Sequence, residues 1–214
     1  MEPPHPDLSS RWPLAGATDV RDALLAAYGD PSRGYHDLRH LAEVLDRLDE
    51  LAARGAAYPQ RPVVLAAWFH DGVYDGERDA EERSAAWAEH ALATHLPAEE
   101  VAEVVRLVRL TETHQPEDDD AAGCALSDAD LAILAAPRAR YDDYVAAVRR
   151  EYAHLDDETF HEGRARVLES LAEKPELFHT AHARRTWEAP ARANLDAELA
   201  SLGARTGRSE AVSR

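Results

Sequence analysis

The chain has 214 residues, of which 45% are hydrophobic and 30% charged, and carries a formal net charge of −17; this is the balance of a soluble globular fold large enough to bury a core. Such a surface excludes an extended nucleic-acid face, because the arginines are scattered among carboxylates and Lys174 is the sole lysine. No window approaches the roughly 20 apolar residues of a membrane span, and the single cysteine, Cys124, permits no intrachain disulfide and points to a reducing compartment.

The opening MEPPHPDLSSRWPL has early prolines and no apolar stretch, so it does not read as a signal peptide, and the cytoplasm is the expected address. Residues 1–14 read as an N-terminal extension. Beyond them the chain is rich in Ala, Leu, Arg and Glu with few alternating segments, which predicts an all-α fold. Thr18 is placed to cap a first helix through Ala27, ended by Gly29 and Pro31. A second helix is expected over about Leu38 to Ala53, with Leu41, Val44, Leu45, Leu48 and Leu51 on one face and Gly55 past its end. Pro62 falls in the first turn of a third, closed by Gly72; its run from Val63 to Phe69 is apolar all round and belongs in the middle of a bundle.

Asp79 is the expected cap of a fourth helix through about Thr94, and Pro97 begins a fifth that reaches about Thr113. An acidic breaker-rich loop, QPEDDDAAG, follows. Further helices are expected around Ser127–Ala135, Arg138–His154, Asp157–Glu173 and Thr180–Leu202, the last kinked or split by Pro190. The stretch 204–214 reads as a frayed tail. With no repeat, no long linker and no glycine-rich phosphate loop, residues 15–203 are expected to form one helical domain.

Chemistry gathers at "AAWFHDG". The apolar helix ends in His70 and Asp71, and leaving both unpaired in an interior would cost several kcal/mol. Three arrangements would satisfy them: Asp71 meeting an arginine, His70 bonding a carbonyl, or both ligating a metal. His36 and His40 in "YHDLRH" stand four apart, so they share a face if the helix reaches back that far, and His40 borders the apolar stripe one turn before Val44. In "SDADL", apolar neighbours again bracket carboxylates. A histidine, a His-Asp pair and a late aspartate on separate inward-facing helices make a mixed nitrogen/oxygen donor set with positions left for water and substrate.

The order His40…His70-Asp71…Asp130 resembles the H…HD…D signature of the HD-domain superfamily of metal-dependent phosphohydrolases. The wider blocks YHDLRH, AAWFHDGVYD, EERSA, TETH, SDADLAIL, YVAAVRREY and GRARVL are similar to a bacterial branch of that superfamily, from about Trp12 to about Leu202. The resemblance implies an HD-type helical bundle in which His40, His70, Asp71 and Asp130 hold one divalent cation (Mn, Fe, Co, Ni, Zn or Mg). Asp128 is the alternative last ligand, or else a helix cap. It further implies hydrolysis of a small phosphorylated substrate, with a nucleotide the leading class, by water activated at the metal.

Asp71, Glu81 and His114 are the expected catalytic residues, with His36 a further candidate for proton handling. Glu81 resembles a recurrent acidic position of the branch; its plainer reading is a carboxylate favoured by the start of a helix. His114 reads as a donor to the ligands, a phosphate contact or a helix-end cation. A second metal is disfavoured, because His90 and His95 fall on a mixed face. A lysine beside the motif, a nucleotidyl-synthesis domain and a glycine-tyrosine-proline extension are lacking, which disfavours alarmone or cyclic-dinucleotide turnover.

The four tryptophans, Trp12, Trp68, Trp87 and Trp187, read as core or interface anchors, and Tyr141, Tyr144 and Tyr152 as packing. Arg149, Arg150, Arg164 and Arg166 read as salt-bridge partners in preference to a phosphate clamp. The rival functions are a metal-stabilised nucleotide sensor without turnover and an HD-type iron oxygenase. No nucleic-acid polymer or membrane is an expected partner, and a homo-oligomer is compatible with the sequence.

Overall fold

The computed structural model describes residues 8–77 and 79–212, with side chains through residue 203; residues 1–7 of the expected N-terminal extension lie outside the described residues. The fold is all-α, and no strand occurs among the described residues. None of the described helices is long and apolar enough to cross a membrane. The backbone groups into two compact units that divide after Asp130.

The first unit begins with a 3-10 turn at Leu8–Arg11 and then carries α1 (Thr18–Tyr28), α2 (Leu38–Ala53), α3 (Gln60–Phe69), α4 (Ala80–Leu92), α5 (Ala98–Leu110) and α6 (Ala121–Leu131, whose last residue falls past the division). Helix α3 is its axis and packs against α2, α4 and α5. Val63 and the run from Leu65 to Phe69 are fully buried, as an all-round apolar helix requires. Trp12 meets Trp68 edge-on at 5.2 Å and Trp87 meets Phe69 edge-on at 6.0 Å, so three of the tryptophans anchor this core.

Helix α2 starts and stops where its side chains dictate. The Asp37 carboxylate accepts the backbone N–H groups of Arg39 and His40, which satisfies two donors of the first turn. At the other end Gly55, at φ 95°, turns the chain out of the helix. The Gly55 N–H bonds to Ala52 and the Ala56 N–H to Leu51, closing a Schellman motif. His40, Leu41, Val44, Leu45, Leu48 and Leu51 form its buried face.

Several boundaries differ from the sequence expectation. Thr18 is the first residue of α1; the cap position belongs to Ala17, left-handed at φ 54°, with no side-chain bond. Asp79 takes the cap position of α4 but its side chain accepts no capping bond. Helix α6 begins at Ala121, well before Ser127, because Asp120 accepts the Gly123 N–H and caps it from within the acidic run. Asp128 therefore lies inside a helix and caps none.

The second unit holds a 3-10 turn at Ala132–Ala135, then α7 (Arg138–Glu151), α8 (Asp157–Glu173), α9 (Ala181–Thr186) and α10 (Glu188–Val212). Pro190 sits in the first turn of α10, where a missing N–H costs nothing, and the expected break falls just before it at Trp187. Backbone helix continues through Val212 where a frayed tail was expected; side chains beyond residue 203 lie outside the described residues. Asn194 on α10 donates to the carbonyls of Leu134 and Ala136 at 2.8 and 2.9 Å. Between α7, α8 and α10 lies a buried ion pair. Arg164 donates through Nε to Glu198 Oε1 at 2.8 Å and through Nη2 to Oε2 at 3.1 Å. The Tyr141 hydroxyl donates to Oε2 at 2.6 Å, and the Tyr144 hydroxyl accepts from Arg164 Nη1 at 2.9 Å. Arg149 pairs with Asp157 and Arg166 with Glu162, as expected of an acidic chain.

Candidate metal centre

All the chemistry picked out by the HD-type pattern lies in the first unit. Asp37 fixes the start of α2, which places His40 in its first turn on the buried face. His70 follows the last residue of α3 and Asp71 comes next, at the turn closed by the Gly72 N–H on the Phe69 carbonyl. A Cβ at Gly72 would sit 3.1 Å from both that carbonyl and the Trp87 ring, so a larger residue fits only if the ring gives by a few tenths of an ångström. Asp130 stands near the end of α6.

These segments converge. His40 Nε2 lies 3.0 Å from His70 Nε2, 3.2 Å from Asp71 Oδ2 and 3.2 Å from Asp130 Oδ1. His70 Nε2 lies 3.1 Å from Asp71 Oδ2 and 3.6 Å from Asp130 Oδ1. An ion held at about 2.1 Å by each donor needs donor–donor edges of about 3.0 Å at a right angle and about 3.4 Å at the tetrahedral angle. The observed edges are of that size. His40, His70 and Asp71 thus form a buried group able to hold a metal ion, and Asp130 Oδ1 lies against both imidazoles of that group.

The bonding pattern supports that fit. His70 Nδ1 lies 2.8 Å from the Ala67 carbonyl oxygen. A proton placed there leaves the Nε2 lone pair facing the cluster. Asp71 Oδ2 is buried within 3.2 Å of both imidazoles, yet no hydrogen bond reaches it. Short distances without hydrogen-bond geometry are what lone pairs produce when they point at a shared centre. The imidazoles are almost wholly buried, whereas each carboxylate keeps 14% of its side chain exposed, so solvent reaches the cluster from the carboxylate side.

Electrostatics carries the same message. Burial opposes protonation of His40, but the nearby carboxylates of Asp130 and Asp71 overcome it and lift its pKa to about 9. His70 likewise rises well above the ordinary imidazole value against its burial, chiefly through the charge of Asp71. Burial alone would raise both carboxylates; the His70 charge reverses this and holds Asp71 and Asp130 well below the usual range. Two carboxylates facing two imidazoles demand positive charge at their meeting point, whether protons or a cation supply it.

Around this centre the other expected residues take different places. Asp130, not Asp128, faces the imidazoles; Asp128 is fully buried elsewhere on α6. His114 Nε2 lies 3.5 Å from Asp130 Oδ2, the oxygen pointing away from His40, and its Nδ1 is 3.2 Å from Ser127 Oγ. Its backbone is left-handed at φ 49°, a strained state for a non-glycine residue that commonly marks functional positions. His36 lies ahead of α2 rather than on it, because Asp37 ends the helix backwards. Its ring still comes 5.5 Å from that of His40 and stacks on Tyr74 at 3.9 Å. Glu81 is half-buried in the first turn of α4, on the face of Ser84 and Ala88, and its carboxylate bonds no described residue. Ser84 Oγ on that face accepts the Val73 N–H just past the His-Asp turn. His90 and His95 are exposed.

Two participants carried no signal in the sequence. Arg33 donates to the carbonyls of His36, Asp71 and Gly72 at 2.9, 2.7 and 2.9 Å. The Tyr28 hydroxyl accepts the Asp71 N–H at 3.2 Å and lies 3.5 Å from His70 Nδ1; burial raises its pKa, so it stays protonated. No family model matches the sequence, and neither curated proteins nor solved structures yield a match.

Proposed function

We propose that the chain is a metal-dependent phosphohydrolase of HD type that acts on a small phosphate ester, with a nucleotide the leading substrate class. What carries this reading is the meeting of His40, His70, Asp71 and Asp130, from three distant segments, at ligand–ligand spacing in an apolar interior. A divalent cation held by these residues would supply Lewis acidity, lowering the pKa of a water and drawing charge from a phosphoryl oxygen.

The protein groups do the rest. His40 and His70 would give up their protons to the cation and present neutral Nε2 atoms, the latter oriented by its Nδ1 contact with Ala67. Asp71 and Asp130 offset the cation charge and, being partly exposed, face the side from which substrate arrives. His114 holds the second oxygen of Asp130. Glu81, half-buried in the first turn of α4 on the face whose Ser84 accepts the Val73 N–H, is the carboxylate assigned to accept a proton from the attacking water. Water adds to phosphorus as the ester P–O bond breaks, giving inorganic phosphate and an alcohol.

The test is phosphate release by the purified full chain, loaded with Mn, Fe, Co, Ni, Zn or Mg in turn, from a panel of nucleotides and p-nitrophenyl phosphate. Release should require metal and vanish in His70→Ala and Asp130→Asn. Nucleotide binding without turnover by the metal-loaded wild type would instead make the chain a sensor.

A further inference from the structure

Arg33 is used unlike its neighbours in the first unit. Arg11, Arg39, Arg61, Arg83, Arg106 and Arg109 each meet a carboxylate, as an acidic chain predicts. Arg33 spends its guanidinium on three backbone carbonyls. One belongs to His36, in the segment that leads into α2 and His40; the others belong to Asp71 and Gly72, beyond the end of α3. Carbonyls at a helix C-terminus lack intrahelical donors and lie at the negative end of the dipole, so a planar cation suits them well. The guanidinium also lies 5.0 Å over the ring of Tyr28, the last residue of α1. That tyrosine accepts the Asp71 N–H. Tyr28 and Arg33 therefore hold the two peptide groups that flank Asp71, the first through its N–H and the second through its carbonyl.

We propose that Arg33, braced by Tyr28, is a positioning residue that sets the His70–Asp71 turn against the His40 segment and thereby fixes the donor spacing of the metal centre. This rests on the metal-centre reading. The physical reason is that the packing of α2 on α3 sets the two segments only through side-chain contacts, whereas the donors must agree to a few tenths of an ångström. A rigid fork touching both segments supplies that tolerance directly.

The experiment is Co(II) titration of the purified full chain, followed by calorimetry and by the visible absorption of the bound ion, beside chemical unfolding of the metal-free protein. The variants are Arg33→Lys, Arg33→Met and Tyr28→Phe. Lysine keeps the positive charge but cannot span three carbonyls, so it separates geometry from charge. Arg33→Lys and Arg33→Met should weaken Co(II) binding by about 10- to 100-fold and alter the absorption band, with Tyr28→Phe losing less. If Arg33→Met does not fold, Arg33→Lys and Tyr28→Phe decide. Unchanged affinity and spectrum, even with a lower unfolding midpoint, reduce Arg33 to a structural role and overturn the proposal. Wild-type protein that takes up no Co(II) removes the metal centre itself and this inference with it; wild-type uptake with unaffected variants sinks this inference alone.

Discussion

Among the described residues each compact unit buries an ionic cluster, and the two are built on opposite principles. In the second unit every polar atom of the Arg164–Glu198 pair is answered: both carboxylate oxygens accept, and the two tyrosine hydroxyls complete the set. In the first unit the imidazoles and carboxylates are just as close, but Asp71 Oδ2 receives no hydrogen bond and two Nε2 atoms face each other at 3.0 Å. A saturated network holds helices together and has nothing left to offer a ligand. An arrangement of converging acceptors is complete only when something positive enters it.

The sharpest way to break that contrast is to remove one partner from each cluster. Arg164→Ala strands a buried carboxylate, and unfolding in urea should show a loss of about 3–5 kcal/mol, while replacing Arg164 and Glu198 together by Met and Leu should cost far less. A saturating divalent cation should stabilise the wild type by about 2.7 kcal/mol at a hundred times its Kd. That increment should disappear in Asp130→Asn and survive in Asp128→Asn, as thermal melts with and without metal will reveal. Retention in both would mean that α6 supplies no ligand.

Protons compete for the same imidazoles. With the His40 pKa lifted to about 9, its folded value exceeds the ordinary 6.5. The stability it gives the metal-free chain is complete below about 6.5 and lost as pH rises through about 9. Cation affinity runs the other way and should climb up to tenfold per pH unit toward 9; a flat calorimetric profile from pH 6 to 9 contradicts the assigned ligand. The smallest effect belongs to Ser127→Ala, which removes one hydrogen-bond partner of His114 and should lower phosphate release by about fivefold, or about 1 kcal/mol, with little change in metal affinity.

Much of this was legible in the sequence, for identifiable reasons. Helix α2 announces itself through its apolar stripe and Gly55, and α3 through an unbroken buried run. The residues of the candidate metal centre stand out because charges on apolar faces need an explanation. Helix α6 hid its start because its cap, Asp120, is the last of three aspartates and reads as loop. Ala17 cannot be found as a cap, since a left-handed alanine leaves no compositional trace. Arg33 and Tyr28 were invisible for a deeper reason: their partners are backbone groups, which every residue possesses, so no side-chain pattern betrays them.

Trp68 lies wholly out of water two residues before His70, and its indole nitrogen finds no hydrogen-bond partner. Its emission should therefore be blue-shifted, and paramagnetic Co(II) or Ni(II) entering beside the end of the same helix should quench it. The molecule carries its own optical gauge of occupancy, readable without dye, label or assay substrate.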